Sequence, residues 1–302
     1  MPPADDRFNQ VVRRFYPQSR LLRVWPMTGG VSAQVTALEI VHADGQTQKL
    51  LIRQHGALDL QHNPHIAADE FKLLNLLQTL GIRAPKPYHV DESGTLLPTP
   101  YIVVEFVDGV TEFAPAHLDD CIAQFAAQLT RIHRADCSRY DLSFLPQQNI
   151  LYRPFPPRPP QLDASIDEGR IRAALEAACP LPQHNASTLL HGDYWPGNIL
   201  WREGQLVAVI DWEDSAFGDP LADVGSARLE VLWAFGSDAM HAFTQHYQTL
   251  NPISVANLPY WDLRASLRPA FKIAEWASDA AAEKAMRDTH RAFVTQALNQ
   301  LP

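Results

Sequence analysis

Cysteine is scarce in this chain: 302 residues carry three, Cys121, Cys137 and Cys179. They are odd in number, widely spaced and show no paired metal spacing. Cys121 and Cys179 sit among helical residues, where small buried hydrophobes are expected. Basic residues are also in deficit, with 25 Lys and Arg against 34 Asp and Glu, a net charge of −9. A surface that tracks phosphate backbones is normally basic, so the balance argues against a general nucleic-acid binder. The acidic balance suits a cationic substrate, although many enzymes share it. No apolar run approaches the roughly 20 residues that span a bilayer. The first twenty residues, with Asp5, Asp6, Arg13 and Arg14, lack the apolar core of a signal peptide. The expectation is a reduced cytoplasmic protein with neither membrane nor nucleic acid as partner. There is no internal repeat.

What is present reads as two regions. A short helix over 5–15 precedes three strand-like runs, Leu21 to Trp25, Val31 to Val41 and Lys49 to His55, with Asp44-Gly45 as the hairpin turn between the last two. A helix follows, with Asn63 as cap, Pro64 in its first turn and Gly81 at its end. Tyr88 to Val90 and Tyr101 to Phe106 are two more strands. This order predicts an α+β layer: an antiparallel five-stranded sheet with a helix. Beyond Asp108-Gly109 helices take over. Leu118, Ile122, Phe125, Leu129 and Ile132 keep helical spacing, as does the run from Leu221 to Phe235. The tail reads as further helices interrupted near Pro252 and Pro269. The predicted division is 1–107 and 108–302. Pro154 to Pro160 is neither helix nor central strand; it suits a rigid surface loop or a polyproline ligand.

The most informative stretch is His191-Gly192-Asp193-Tyr194-Trp195-Pro196-Gly197-Asn198. After a hairpin at Glu203-Gly204 it is followed by Val207-Ala208-Val209-Ile210-Asp211-Trp212. A carboxylate, an amide five positions on, and a second carboxylate at a strand end are the groups phosphoryl transfer uses. One oxygen orients the attacking hydroxyl, and an amide and a carboxylate hold the cation that bridges the nucleotide phosphates. A plain turn aspartate, with His191 and Asn198 as local caps, is the alternative for any one of these residues. The combined pattern favours the chemical reading.

The pattern H-x-D-x-x-x-x-N followed by I-D-W resembles the aminoglycoside phosphotransferase and choline kinase family, the small-molecule branch of the protein-kinase-like fold. The resemblance implies a bilobal architecture: residues 1–107 as the nucleotide-binding lobe and residues 108–302 as a mainly helical, catalytic and substrate-binding lobe. It implies transfer of the γ-phosphoryl group of ATP or GTP to a hydroxyl of a small molecule such as an aminoglycoside, amino alcohol or sugar, with Mg²⁺. Asp193 would be the catalytic base and His191 a brace for its loop. Asn198 and Asp211 would be metal ligands. Gly29, Gly30 and Ser32 would form the turn over the phosphates. Arg53 would grip phosphate and pair with Glu70, and Glu105 to Val107 would face the nucleotide base. Asp211-Trp212-Glu213 departs from the Asp-Phe-Gly of protein kinases and argues against that rival. A non-catalytic nucleotide sensor or scaffold of the same fold is the other alternative. Glu213 is read either as a contact to a second metal through water or as a solvated charge. Gly218-Asp219-Pro220-Leu221-Ala222-Asp223 continues the family pattern, with Asp219 or Asp223 capping the next helix and bracing the loop. His133 is expected to be structural. Trp195, Trp212, Trp233, Trp261 and Trp276 are read as core or, less commonly, as an aromatic box for a quaternary amine.

Overall fold

A computed structural model describes residues 4–27 and 33–301. The chain divides into two compact units, Met1–Gly109 with Val207–Glu213, and Val110–Leu206 with Asp214–Pro302. The segment carrying Asp211 therefore groups with the N-terminal unit, although the sequence division placed it with the other.

The first unit begins with α1 (Ala4–Phe15), β1 (Arg20–Pro26), β2 (Ala33–Val41) and β3 (Thr47–His55). It continues with α2 (Ala57–His62), α3 (Ile66–Thr79), β4 (Pro87–Asp91) and β5 (Tyr101–Glu105). The five strands form one sheet in the order β1-β2-β3-β5-β4, antiparallel throughout. Between β2 and β3 the chain reverses at Asp44-Gly45. Gly45 there adopts φ +85°, and the Asp44 carboxylate accepts from Gln46 N at 2.9 Å. Strand alternation splits the side chains between two faces. Leu38 and Ile40, Leu50 and Ile52, Tyr101 and Val103 pack with Phe8, Val11 and Val12, which lie along one stripe of α1. The neighbouring positions Arg53 and His55 point to the opposite face, where both meet Glu70 of α3.

Asn63 lies before α3 without capping it. Its Oδ1 accepts from His65 N at 2.9 Å, and the helix starts at Ile66. At the other end Gly81 takes φ +68° and Ile82 N donates to Leu77 O at 2.9 Å, a left-handed stop that a Cβ would strain.

The second unit holds α4 (Leu118–His133), β6 (Gln147–Gln148), α5 (Glu168–Ala178), β7 (Thr188–Leu190) and β8 (Ile199–Arg202). Next come β9 (Gln205–Val209), along which the chain passes from one unit to the other at Val207, and β10 (Ala216–Gly218). Five helices complete it: α6 (Leu221–Phe235), α7 (Ser237–Leu250), α8 (Leu258–Ala265), α9 (Ile273–Trp276) and α10 (Ala280–Asn299). Pro252 lies in the break between α7 and α8 and Pro269 in the break between α8 and α9, while Gly236 separates α6 from α7 and residues 277–279 separate α9 from α10. The short strands β6, β10 and β7 pair in that order, and β8 with β9 makes a hairpin. Its turn residues, Glu203 and Gly204, both take positive φ, as a two-residue hairpin turn requires.

Pro154 to Pro159 contains neither helix nor strand, and Arg158 ties it to Glu176 of α5 at 2.7 Å. The tryptophans disperse into separate packing. Trp261 is buried edge-on to Tyr152, Trp233 lies edge-on to Trp276, and Trp195 is tilted against Phe113. In the first unit Trp212 is buried and donates to Val209 O at 2.9 Å. Among the described residues, no helix is long and apolar enough to cross a membrane.

Candidate active site

In the first unit the chemistry gathers around Arg53. β3 delivers its guanidinium to three carboxylates: Glu70 on α3 at 3.4 Å, Asp211 at 2.6 Å, and Glu213 in a short contact. His55 Nε2, two positions along the same strand face, lies 3.0 Å from Glu70. Burial alone would lower the Arg53 pKa, but Glu70, Asp211 and Glu213 hold it above the ordinary value. Burial pushes the Glu70 carboxyl up, and Arg53 and His55 outweigh that, so it stays ionised below the usual carboxylate range. One guanidinium against three carboxylates leaves two formal negative charges in excess, which favours a bound cation.

Asp211 itself sits at φ +65°, uncommon for a residue with a Cβ. Backbone strain of this kind persists where surrounding contacts over-determine it. Here Val209 N donates to Arg83 O at 2.9 Å just upstream, and Trp212 is buried just downstream. Hard oxygen donors of this sort suit a divalent cation such as Mg²⁺ or Ca²⁺. His55, Asp59 and Glu213 also place one ligand atom each within 4.8 Å of one another, a second set able to hold a metal ion. Glu105 ends β5, with its N–H donated to Lys86 O at 2.8 Å, and Val107 is half-buried just beyond. Gly29, Gly30 and Ser32 lie outside the described residues.

In the second unit the His191-to-Asn198 loop leaves β7 and is fastened to α6 by one buried carboxylate. Asp223 Oδ2 accepts from His191 N at 2.7 Å, and its Oδ1 accepts from Gly192 N at 2.9 Å. His133 Nε2 lies 3.1 Å from Oδ2. Burial raises the Asp223 pKa, but His133, His191 and the backbone N–H bring it below the ordinary value. Gly192 turns at φ +84°, and a Cβ there would lie 1.9 Å from the Asp214 carbonyl oxygen. Only glycine fits that approach. Asp219 caps α6 by accepting from Leu221 N at 2.8 Å, and Tyr152 and Asn185 hold its other contacts. The two aspartates of the Gly-Asp-Pro-x-x-Asp segment thus divide capping and bracing between them.

Within that loop His191 is fully buried, and its Nδ1 accepts from Asp193 N at 3.2 Å. Asn198 Nδ2 donates to the Asp193 backbone oxygen at 2.9 Å and to Asp193 Oδ2 at 3.1 Å. This orientation leaves Oδ1 as the atom of the amide that is able to accept or to ligate. Arg268 donates to Asp193 Oδ1 in a short ion pair. Glu230 of α6 stands near both: burial pushes its pKa up to about 7, with Arg268 opposing and Asp193 adding to the shift.

Arg268, Glu230, His55 and Asp59 had no role in the sequence reading. Arg268 stands four positions after Arg264 and just before Pro269, which reads as the solvated end of a helix.

A model of the phosphotransferase enzyme family matches residues 29–251. Among curated relatives, a homoserine kinase of Methylocella silvestris is 26% identical over 220 residues, covering 68% of each chain. Acyl-CoA dehydrogenase family member 10 of Mus musculus is 25% identical over 203 residues. That match covers 60% of this chain but spans only 18% of the mouse protein's length. Among solved structures, the GDP complex of aminoglycoside 2′-phosphotransferase-IIIa superposes with a TM-score of 0.65 at 14% identity, covering 99% of this chain and 97% of that one. An amicoumacin kinase in complex with AMP-PNP and Ca²⁺ gives 0.64 at 14% identity, covering 97% and 94%. These likenesses give the protein-kinase-like α+β fold, and the neighbours' names support small-molecule phosphotransfer. With its family model spanning the braced loop and the Arg53 cluster alike, the chain belongs to the phosphotransferase enzyme family.

Proposed function

We propose that this protein transfers the γ-phosphoryl group of ATP or GTP to a hydroxyl of a small molecule, in the cytoplasm. The observation that carries the reading is the Asp193 loop. Its carboxylate is fixed from one side by Asn198 and from the other by Arg268, and the whole turn hangs on Asp223. Such fixation aims a base without reorganisation when the reaction occurs.

In the proposed assignment, residues 1–107 bind nucleotide and residues 108–302 supply the base and the acceptor site. Arg53, held by Glu70, supports the phosphates; Gly29, Gly30 and Ser32 turn over them; Glu105 and Val107 border the base. Asn198 and Asp211 would hold Mg²⁺. The ion, when bound, neutralises charge on the phosphate oxygens. Asp193 orients the acceptor hydroxyl and takes its proton. The acceptor oxygen bonds to the γ-phosphorus, and the bond to the β,γ-bridging oxygen breaks, its electron pair leaving with the nucleoside diphosphate. His191 shapes the loop from its buried position and does not take the proton.

The test is nucleoside diphosphate release from MgATP and MgGTP with aminoglycosides, macrolides, choline, homoserine and sugars. Asp193→Asn is expected to lower release by roughly 10²–10⁴-fold, the usual contribution of a positioned base, while nucleotide affinity stays at the wild-type value. A folded Asp193→Asn protein that turns over normally would refute the assignment.

A further inference from the structure

Three arginines of the second unit cluster behind the Asp193 loop, and their partners differ. Arg172 is paired with Glu168 at 2.7 Å. Arg268 is paired with Asp193, and Asp214 also favours its charged form. Arg264, in the last turn of α8, has no carboxylate partner among the described residues, and its buried Nε makes no hydrogen bond. Burial pushes its pKa below the ordinary value, and the neighbouring charges of Arg268 and Arg172 add to that. The nearby Asp262 does not relieve it, because Arg228 Nε occupies that carboxylate at 3.0 Å.

A half-buried guanidinium whose Nε makes no hydrogen bond is costly to keep. Arg264 lines a cavity of about 240 Å³ together with Arg268, Gln148, Gly192, Asp214 and Asp223. Both oxygens of Asp223 are already taken by the loop N–H groups and His133. The cavity falls below the roughly 300–1,000 Å³ of sites for drug-sized ligands, so it suits a small head group.

We infer that this cavity receives an anionic group of the phosphoryl acceptor, a carboxylate or a phosphate ester, held between Arg264 and Arg268. The inference rests on the kinase reading above and narrows its substrate class. It also assigns Arg268 a second task. In the free protein Arg268 sits on Asp193 Oδ1, the atom a hydroxyl would approach. An acceptor anion offers that guanidinium another partner and clears Oδ1 in the same event.

The experiment uses the full chain and four compounds on one three-carbon skeleton: glycerate, glycerol phosphate, glycerol and serinol. Binding is measured by calorimetry without nucleotide, and nucleoside diphosphate release is followed separately with MgATP and MgGTP. The expected result is binding of glycerate or glycerol phosphate in preference to glycerol and serinol; whichever anion binds identifies the head group. Arg264→Gln is expected to weaken that binding roughly 10- to 100-fold, the loss of one charge-assisted hydrogen-bond set. Arg264→Lys keeps a point charge without the planar fork and should fall between the two. In the absence of ligand, Arg264→Gln should melt at or above the wild-type temperature, since it removes an uncompensated charge. An arginine kept only for packing would lower it. Preference for serinol, absence of binding by both anions, or unchanged anion binding in Arg264→Gln overturns the inference. Anion binding that leaves diphosphate release absent with these compounds and with the whole acceptor panel above would instead sink the kinase reading and leave the anion site standing.

Discussion

Asp223 is the residue on which the candidate site hangs, and its removal has a calculable cost. Asp223→Ala strips the acceptor from three donors at once: His191 N at 2.7 Å, Gly192 N at 2.9 Å and, in the tautomer that donates, His133 Nε2 at 3.1 Å. A buried donor left unsatisfied costs about 1–3 kcal/mol. Asp223 also lines the 240 Å³ cavity, so water can reach part of the vacated space, which places each loss near the lower end. The sum is about 3 kcal/mol. For a unit of this size that corresponds to a fall in melting temperature of roughly 6–12 °C. The dependence on pH has a definite sign. The folded carboxyl titrates below its ordinary value, so its contribution is complete above about pH 4 and disappears as pH falls through the folded pKa. Circular dichroism melts of wild type and Asp223→Ala should therefore differ by a constant amount between pH 5 and 8 and converge in acid. Amide exchange at His191 and Gly192 should accelerate in the variant. A variant melting within about 2 °C of wild type at neutral pH would refute the reasoning.

Two further perturbations follow from the same geometry. Glu230 keeps its proton up to about pH 7 in the folded protein, against an unfolded value of 4.5. The native state thus binds more protons than the unfolded one between those values, and stability falls as pH rises through that window, by at most about 3 kcal/mol. Glu230→Gln cannot titrate and should match wild type near pH 4.5 and exceed it above pH 7 in urea denaturation; parallel stability curves would contradict this. Gly192→Ala places a Cβ 1.9 Å from Asp214 O on a backbone at φ +84°. It should cost at least about 2 kcal/mol and abolish diphosphate release, whereas a melt at the wild-type temperature would count against that tight approach.

Much of this was legible in the sequence because the elements concerned are long or carry punctuation. β2 and β3 alternate around Asp44-Gly45, α4 keeps a clean apolar stripe, and Pro252 and Pro269 interrupt the tail where the structure does. The Asp193 loop was legible because glycine and proline mark the turn and the polar residues keep a fixed spacing. What escaped was short or long-range. β6, β7 and β10 are two or three residues each, too brief for any period to register. α5 lacks a strong apolar stripe, since only Glu168, Ile171 and Leu175 of it are buried. Arg268 reaches Asp193 from 75 positions away, and no local pattern announces such a pairing. The same holds for Glu230, an acid inside an apolar helix whose surroundings are set by tertiary packing.

The most direct test of the central claim is divalent-cation binding, followed by electron paramagnetic resonance with Mn²⁺ and a non-hydrolysable ATP analogue. Wild type should bind the ion together with the nucleotide, and Asn198→Ala and Asp211→Asn should each weaken it by about tenfold or more while the fold is retained. Mn²⁺ affinity unchanged in both variants would contradict the account.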